Sequence, residues 1–247
     1  MSVIVQPYRF QVSGGGGGSV PTHSLSLNGS SQYLSMSDAN FGAYDRAKFA
    51  IAGAINLDVV SGDRTIIAQR NASGEVAFTI QTTNAGALET LFSENGVSPS
   101  QSLNRTSGSL ITSGNWFAFL IHYDSANSTS GDRIKLWVNG SLQTPAGYIA
   151  PTAAVYNSSS DISVGARLAS PASLYLDGLI YSLGFFSAAL PAPTDVFDGT
   201  AGKVKSFTGL AGLHSLLDVA AGSVVADAVR ASDWTNNGTV TASSSVP

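Results

Sequence analysis

Glycan hydrolysis with retention takes two carboxyl groups held about 5.5 Å apart, so the acidic residues come first. The glutamates are Glu75, Glu89 and Glu94. None is spaced to set two carboxylates side by side on one strand. A nucleophilic triad needs a histidine beside a hydroxyl or thiol, with a carboxylate to orient it. The chain has 3 His and no Cys. His23 lies next to a glycine run, His122 alternates within an apolar stretch, and His214 sits among apolar neighbours. Each reads as structural. Flat aromatic faces stack on sugars or on protein. Trp116 reads as core, whereas Trp137 falls on the polar side of its segment and is the contact candidate.

Composition narrows the partners. Charged residues make up 11 % of the chain, with 12 basic against 16 acidic residues. A phosphate backbone needs clustered Lys and Arg, so nucleic acid is not an expected partner. Without Cys there are neither disulfides nor thiolate metal sites. No apolar run approaches a membrane span, and Met1 to Phe10 lacks the pattern of a secretory signal. Sequons at Asn28, Asn71, Asn104, Asn127, Asn139, Asn157 and Asn237 are what chance supplies in a chain this rich in Asn, Ser and Thr.

The elements that must position any site are strands. From Leu25 onward, period-two alternation is broken by turn residues about every ten positions, the pattern of a sandwich or barrel. Phe49, Ile51, Gly53, Ile55 and Leu57 share one face, with Ala50, Ala52 and Ala54 opposite. Val76, Phe78 and Ile80 alternate with Ala77, Thr79 and Gln81. The stretch Trp116 to Tyr123 is apolar on both faces, which marks a strand in the middle of a buried sheet. Ile134, Leu136 and Val138 point one way, with Arg133, Lys135 and Trp137 the other. Helix is expected only as one short turn at Thr194 to Val196, after Pro191 and Pro193.

Three regions follow. Residues 1–21 are an extended arm and a tether, Gly14 to Gly18 being a run that holds no fixed conformation cheaply. Residues 22–200 are the body, and 201–247 complete it or pack on it. The arm carries Val3, Ile4, Val5, Tyr8 and Phe10, an apolar content that suits strand addition to a partner's sheet edge. Val3, Val5, Tyr8, Phe10 and Trp137 are therefore the expected partner contacts.

Four segments carry a family resemblance. They are Leu25 to Leu34 with its Asn28-Gly29 turn, Asn115-Trp116-Phe117 through Tyr123-Asp124, Ile134 to Asn139-Gly140, and Leu176-Asp177-Gly178 through Ala189-Leu190-Pro191. Their order and spacing resemble the laminin-G-like, concanavalin-A-like jelly-roll domains of adhesive, extracellular and phage structural proteins. The resemblance implies an all-β, antiparallel two-sheet jelly-roll sandwich, here with an extended N-terminal arm. It makes Leu25 to Leu34 the opening hairpin and places His214 where the family has an aromatic residue. Laminarinase-like relatives carry Glu-x-Asp-x-x-Glu on one strand, and this chain has no such run. Other relatives hold calcium in loops, where Asp38, Asp58, Asp63 and Asp132 are the candidate ligands. No dense Asp/Asn ligand loop accompanies them, so no cofactor is expected.

The sequence thus reads as a non-enzymatic structural protein of a tailed-phage virion, a head decoration or fibre-like protein. Its expected partners are capsid or tail proteins and copies of itself, in a trimer by analogy, with a host-surface glycan as a further partner. The alternative is a carbohydrate-binding or adhesion module of a bacterial or phage surface protein. Either reading predicts no reducing-sugar release from β-glucan or agarose above a heat-killed control; release abolished by Glu75→Gln or Glu89→Gln would refute it.

Overall fold

A computed structural model describes residues 22–71, 73–97, 102–168, 172–217, 229 and 234–247. The arm, with Val3, Val5, Tyr8 and Phe10, lies outside the described residues. The first half holds β1 (Ser24–Asn28), β2 (Tyr33–Met36), helix α1 (Asp38–Phe41), β3 (Lys48–Leu57), β4 (Arg64–Arg70), β5 (Val76–Thr82), β6 (Leu88–Phe92) and β7 (Ser102–Arg105). There follow β8 (Trp116–Asp124), β9 (Ile134–Val138), β10 (Ser141–Leu142), β11 (Gly147–Ile149), β12 (Ile162–Val164) and β13 (Asp177–Ser187). Helix α2 (Pro193–Val196), β14 (Leu213–Leu217), β15 (Thr235–Asn237) and β16 (Thr241–Ser243) complete the list.

The strands pair antiparallel into two eight-stranded sheets. Sheet I runs β10-β9-β8-β3-β13-β1-β16, and β14 shares the free length of β13 with β1. Sheet II runs β11-β7-β6-β5-β4-β12-β2-β15. This is the expected all-β sandwich, and α2 covers the expected helical turn. One element differs. Leu25 to Leu34 is not a hairpin, because β1 belongs to sheet I and β2 to sheet II. The Asn28 side chain accepts hydrogen bonds from the backbone of Ser30, Ser31 and Gln32 and turns the chain across the gap. That crossing lets Leu25, Leu27 and Leu34 all enter the core between the sheets.

Alternation sets the core. Phe49, Ile51, Ile55 and Leu57 of β3 meet Phe78, Ile80 and Phe92 of sheet II in one apolar cluster. The opposite face of β3, Ala50, Ala52 and Ala54, lies in a second cluster with Leu120, Val196, Phe197 and Phe207. Alanines there leave room for the segment 188–212 to pack flat on sheet I, so β3 is buried on both faces. Asn139 and Gly140 take φ of 50° and 81°, the mirror-turn geometry that joins β9 to β10. Gly178 on β13 has φ +140°, and a Cβ there would stand 2.1 Å from the Asn56 carbonyl oxygen. Only glycine allows that approach.

His122 fastens the covering segment. Its Nε2–H donates to the Pro191 carbonyl at 2.9 Å, and its ring stands edge-on to Trp137 at 4.6 Å. Burial pushes its pKa down to about 4, the Pro191 bond opposing only in part. In the unfolded chain the ring protonates at about its ordinary value of 6.5. Between about pH 6.5 and 4 the unfolded state therefore binds more protons, and stability falls as pH falls through this window. We expect His122→Gln, which keeps a donor, to lose less stability than the wild type between pH 7 and 4, by at most about 3 kcal/mol. Parallel melting curves for the two proteins would disprove the assignment.

Candidate functional site

Sheet II carries the candidate site on its outer face, along β12. β12 lies between β4 and β2, with Ile162 opposite both Gln69 and Met36, and Val164 opposite both Ile67 and Leu34. Leu34 and Met36 are buried in the core, so alternation turns Tyr33 and Ser35 outward. A cavity of about 500 Å³ opens there, lined by Tyr33, Arg70, Asn71, Ser159, Ser160 and Asp161, with Leu168 on its rim. That volume falls within the range of small-ligand pockets. Tyr33 lies one residue beyond the Val164 end of β12 and Arg70 one beyond the Ile162 end, about 13 Å apart along the strand and two strand spacings across.

Part of the lining is scaffold. The Asn71 side chain accepts from the backbone of Ser73 and Glu75 and donates to the Glu75 carboxylate at 3.0 Å. The other Glu75 oxygen accepts from the Ser159 backbone at 2.9 Å. Glu75 thereby ties the β4–β5 turn to the strap leading into β12 and holds two walls of the cavity together. Two polar atoms of the remaining lining have no partner. Ser160 Oγ is buried without a hydrogen-bond partner, and so is Nε of Arg70. Burial holds the Arg70 pKa below its ordinary value, and the positive charge of Arg167 lowers it further. Tyr33 packs at a tilt on Tyr175, ring centres 6.3 Å apart.

Two other carboxylates among the described residues are engaged by protein groups. Across the outer face of sheet II, Gln81 donates to Glu89 at 2.8 Å and Arg105 pairs with Glu89 at 3.4 Å. Glu94 accepts from Ser102 Oγ and from the Thr152 backbone. Burial acts to raise its pKa, but the hydrogen bonds from Ser102, Thr152 and Ala153 prevail and leave it low. Two smaller hollows, of about 360 and 240 Å³, hold Lys205 and Lys135. Lys205 donates to the Thr194 carbonyl and Lys135 pairs with Asp132, so each ammonium already has one protein partner.

Trp137 is half-buried on the outer face of sheet I, against His122 and away from the cavity. His214 does stand among aromatics, its ring 4.9 Å from Phe41 and 5.9 Å from Phe185. Asp38 accepts from Gln69, Asp63 accepts from the Asn84 backbone, and Asp132 pairs with Lys135. Asp58 sits just past the end of β3, with its amide bonded to the Asp177 carbonyl. Among the described residues, no three His, Asp or Glu side chains gather as a metal site. Nor is any helix among them long and apolar enough to cross a membrane.

The family model for the concanavalin A-like lectin/glucanases superfamily matches residues 28–194, which contain the whole cavity. The chain belongs to this superfamily. No curated protein matches it. Among solved structures, a Bacteroides ovatus protein inferred to bind carbohydrate is similar at TM-score 0.59 and 16% identity, over 90% of this chain and 60% of that one. The heptameric SAP-like pentraxin of Limulus polyphemus is similar at 0.56 and 11% identity, over 91% and 96%. The CBM40 of the Ruminococcus gnavus IT-sialidase is similar at 0.51 and 9% identity, over 70% and 93%. At such identities the likeness concerns the fold of this superfamily domain alone.

Sequence reasoning did not find the cavity. Tyr33 lay within a segment read for its turn, and Arg70, Asn71 and Asp161 stand in no recognisable spacing. The scaffold role of Glu75 is testable. Glu75→Ala should lower stability by about 1–2 kcal/mol in urea titration, and Glu75→Gln, which keeps one acceptor, by less. Equal stability of all three proteins would show that the tie carries no weight.

Proposed function

We propose that this domain is a non-catalytic carbohydrate-binding or adhesion module that takes a sugar in the cavity along β12. The observation that carries this reading is the lining: one aromatic face at Tyr33, with hydrogen-bonding side chains of Arg70, Ser160 and Asp161 that other protein groups leave free. A sugar offers a ring face with C–H groups for the first and a rim of hydroxyls for the second. The carbohydrate-binding descriptions of the Bacteroides ovatus and Ruminococcus gnavus proteins support the same class.

Such a site binds weakly when single. Self-association into a homo-oligomer, a trimer in the first instance, would multiply its effect by avidity. The virion reading has no observation among the described residues in its favour, since it rests on the family resemblance, on composition and on the arm. The module reading places the protein at a bacterial or phage surface.

The full chain on a glycan array, followed by calorimetry with the best ligand, is the direct test. We expect binding that Tyr33→Ala weakens at least tenfold while the melting temperature stays within a few degrees. Binding untouched by Tyr33→Ala would move the site elsewhere. Absence of binding to any glycan, together with incorporation of the chain into purified phage particles, would restore the virion reading.

A further inference from the structure

We propose that the glycan held along β12 is an acidic one, whose carboxylate is received by the Arg70 guanidinium. The proposal rests on the sugar-binding reading above and deepens it. It starts from a comparison among the described arginines. Arg64 donates to the carbonyls of Tyr175 and Ser61, and Arg133 to those of Asn127 and Pro151. Arg105 pairs with Glu89, Arg167 donates to Ser173 Oγ, and Arg46 lies 5.0 Å over the Tyr44 ring. Arg70 alone among them has no hydrogen bond, ion pair or ring contact.

That isolation is costly where Arg70 sits. Its Nε is buried without a partner, and an unsatisfied donor on a charged group costs more than a neutral one. Arg167, whose own Nε is also buried and unpartnered, stands close enough to add positive potential. A second positive charge acting on Arg70 is a poor arrangement for the empty protein and a good one for an anion. Asp161 lines the same cavity but forms no ion pair with Arg70 among the described residues. Its carboxylate is left to accept from sugar hydroxyls, which a bound carboxylate at Arg70 would not contest.

The planar guanidinium presents parallel donors that match both oxygens of a carboxylate. Ser160 Oγ, 3% exposed and unpartnered, supplies a further donor on the same wall. Tyr33, at the far end of β12, then meets the ring of the sugar or of the residue linked to it.

The test compares carboxylated, sulfated and neutral oligosaccharides against the full chain, its Arg70→Gln and its Arg70→Lys variants. The carboxylated ligand should bind and raise the melting temperature, and its methyl ester should bind at least tenfold more weakly. Arg70→Gln should weaken the acid far more than the ester, so that the preference for the acid over its ester is lost. Arg70→Lys should fall between, since it keeps charge but loses the fork. Removing an unpaired, partly buried cation should leave the ligand-free melting temperature equal or higher, so weak binding by the variant is not misfolding. A neutral sugar bound equally by wild type and Arg70→Gln overturns the acidic assignment and leaves the sugar reading intact. A sulfated ligand bound in preference to the carboxylated one overturns the carboxylate. No glycan bound by any variant, at concentrations that saturate weak lectins, overturns both.

Discussion

Phe49 holds the two sheets together. Its ring stacks between Tyr123 and Phe185, with centres at 5.0 and 5.4 Å, and meets Phe78 and Phe92 of sheet II across the gap. Tyr44 closes the cluster edge-on at 5.6 Å. Aromatic contacts of this kind add to the burial of large apolar area. They also fix the spacing between β3, β8 and β13 on one side and β5 and β6 on the other.

The same cluster explains why the site can lie at the outer face of sheet II. The inner faces are committed to packing and the outer face of β3 and β8 is covered by 188–212, whereas beside β12 on sheet II a cavity remains. Its row Gln81, Glu89 and Arg105 satisfies itself across three strands. The stretch along β12 does not, because the strap before it and the loop after it stand apart enough to leave a cavity. Glu75 keeps the strap at that distance through bonds to Asn71 and Ser159. An orphan hydroxyl and an orphan guanidinium Nε there oppose folding slightly. Such a cost persists where a ligand offsets it.

Much of the fold was legible in residue order. The alternation of Phe49, Ile51, Ile55 and Leu57 against Ala50, Ala52 and Ala54 anticipated a strand with two different buried faces, because side chains on a strand must point to opposite sides. Asn139-Gly140 announced its hairpin, since few other pairs accept positive φ at both positions. The opening segment was misread for a physical reason: a short polar turn between two apolar runs looks alike whether the runs pair within one sheet or face each other across the core. The four-residue helix α1 gave no periodic signal, being barely one turn long.

By itself, then, the sequence determined the class of fold, the identity of the core strands and the tight turns, since these follow from periodicity and from local backbone sterics. It also showed a protein poor in charge and without Cys. Only the tertiary structure decided which polar residues share a cavity. Tyr33, Arg70 and Asp161 come from separate stretches of chain and meet because β12 is inserted between β4 and β2. Non-local strand order leaves no mark in local spacing. Nor could residue type alone separate Arg70 from the other arginines, since what sets it apart is the partners it lacks after packing is complete.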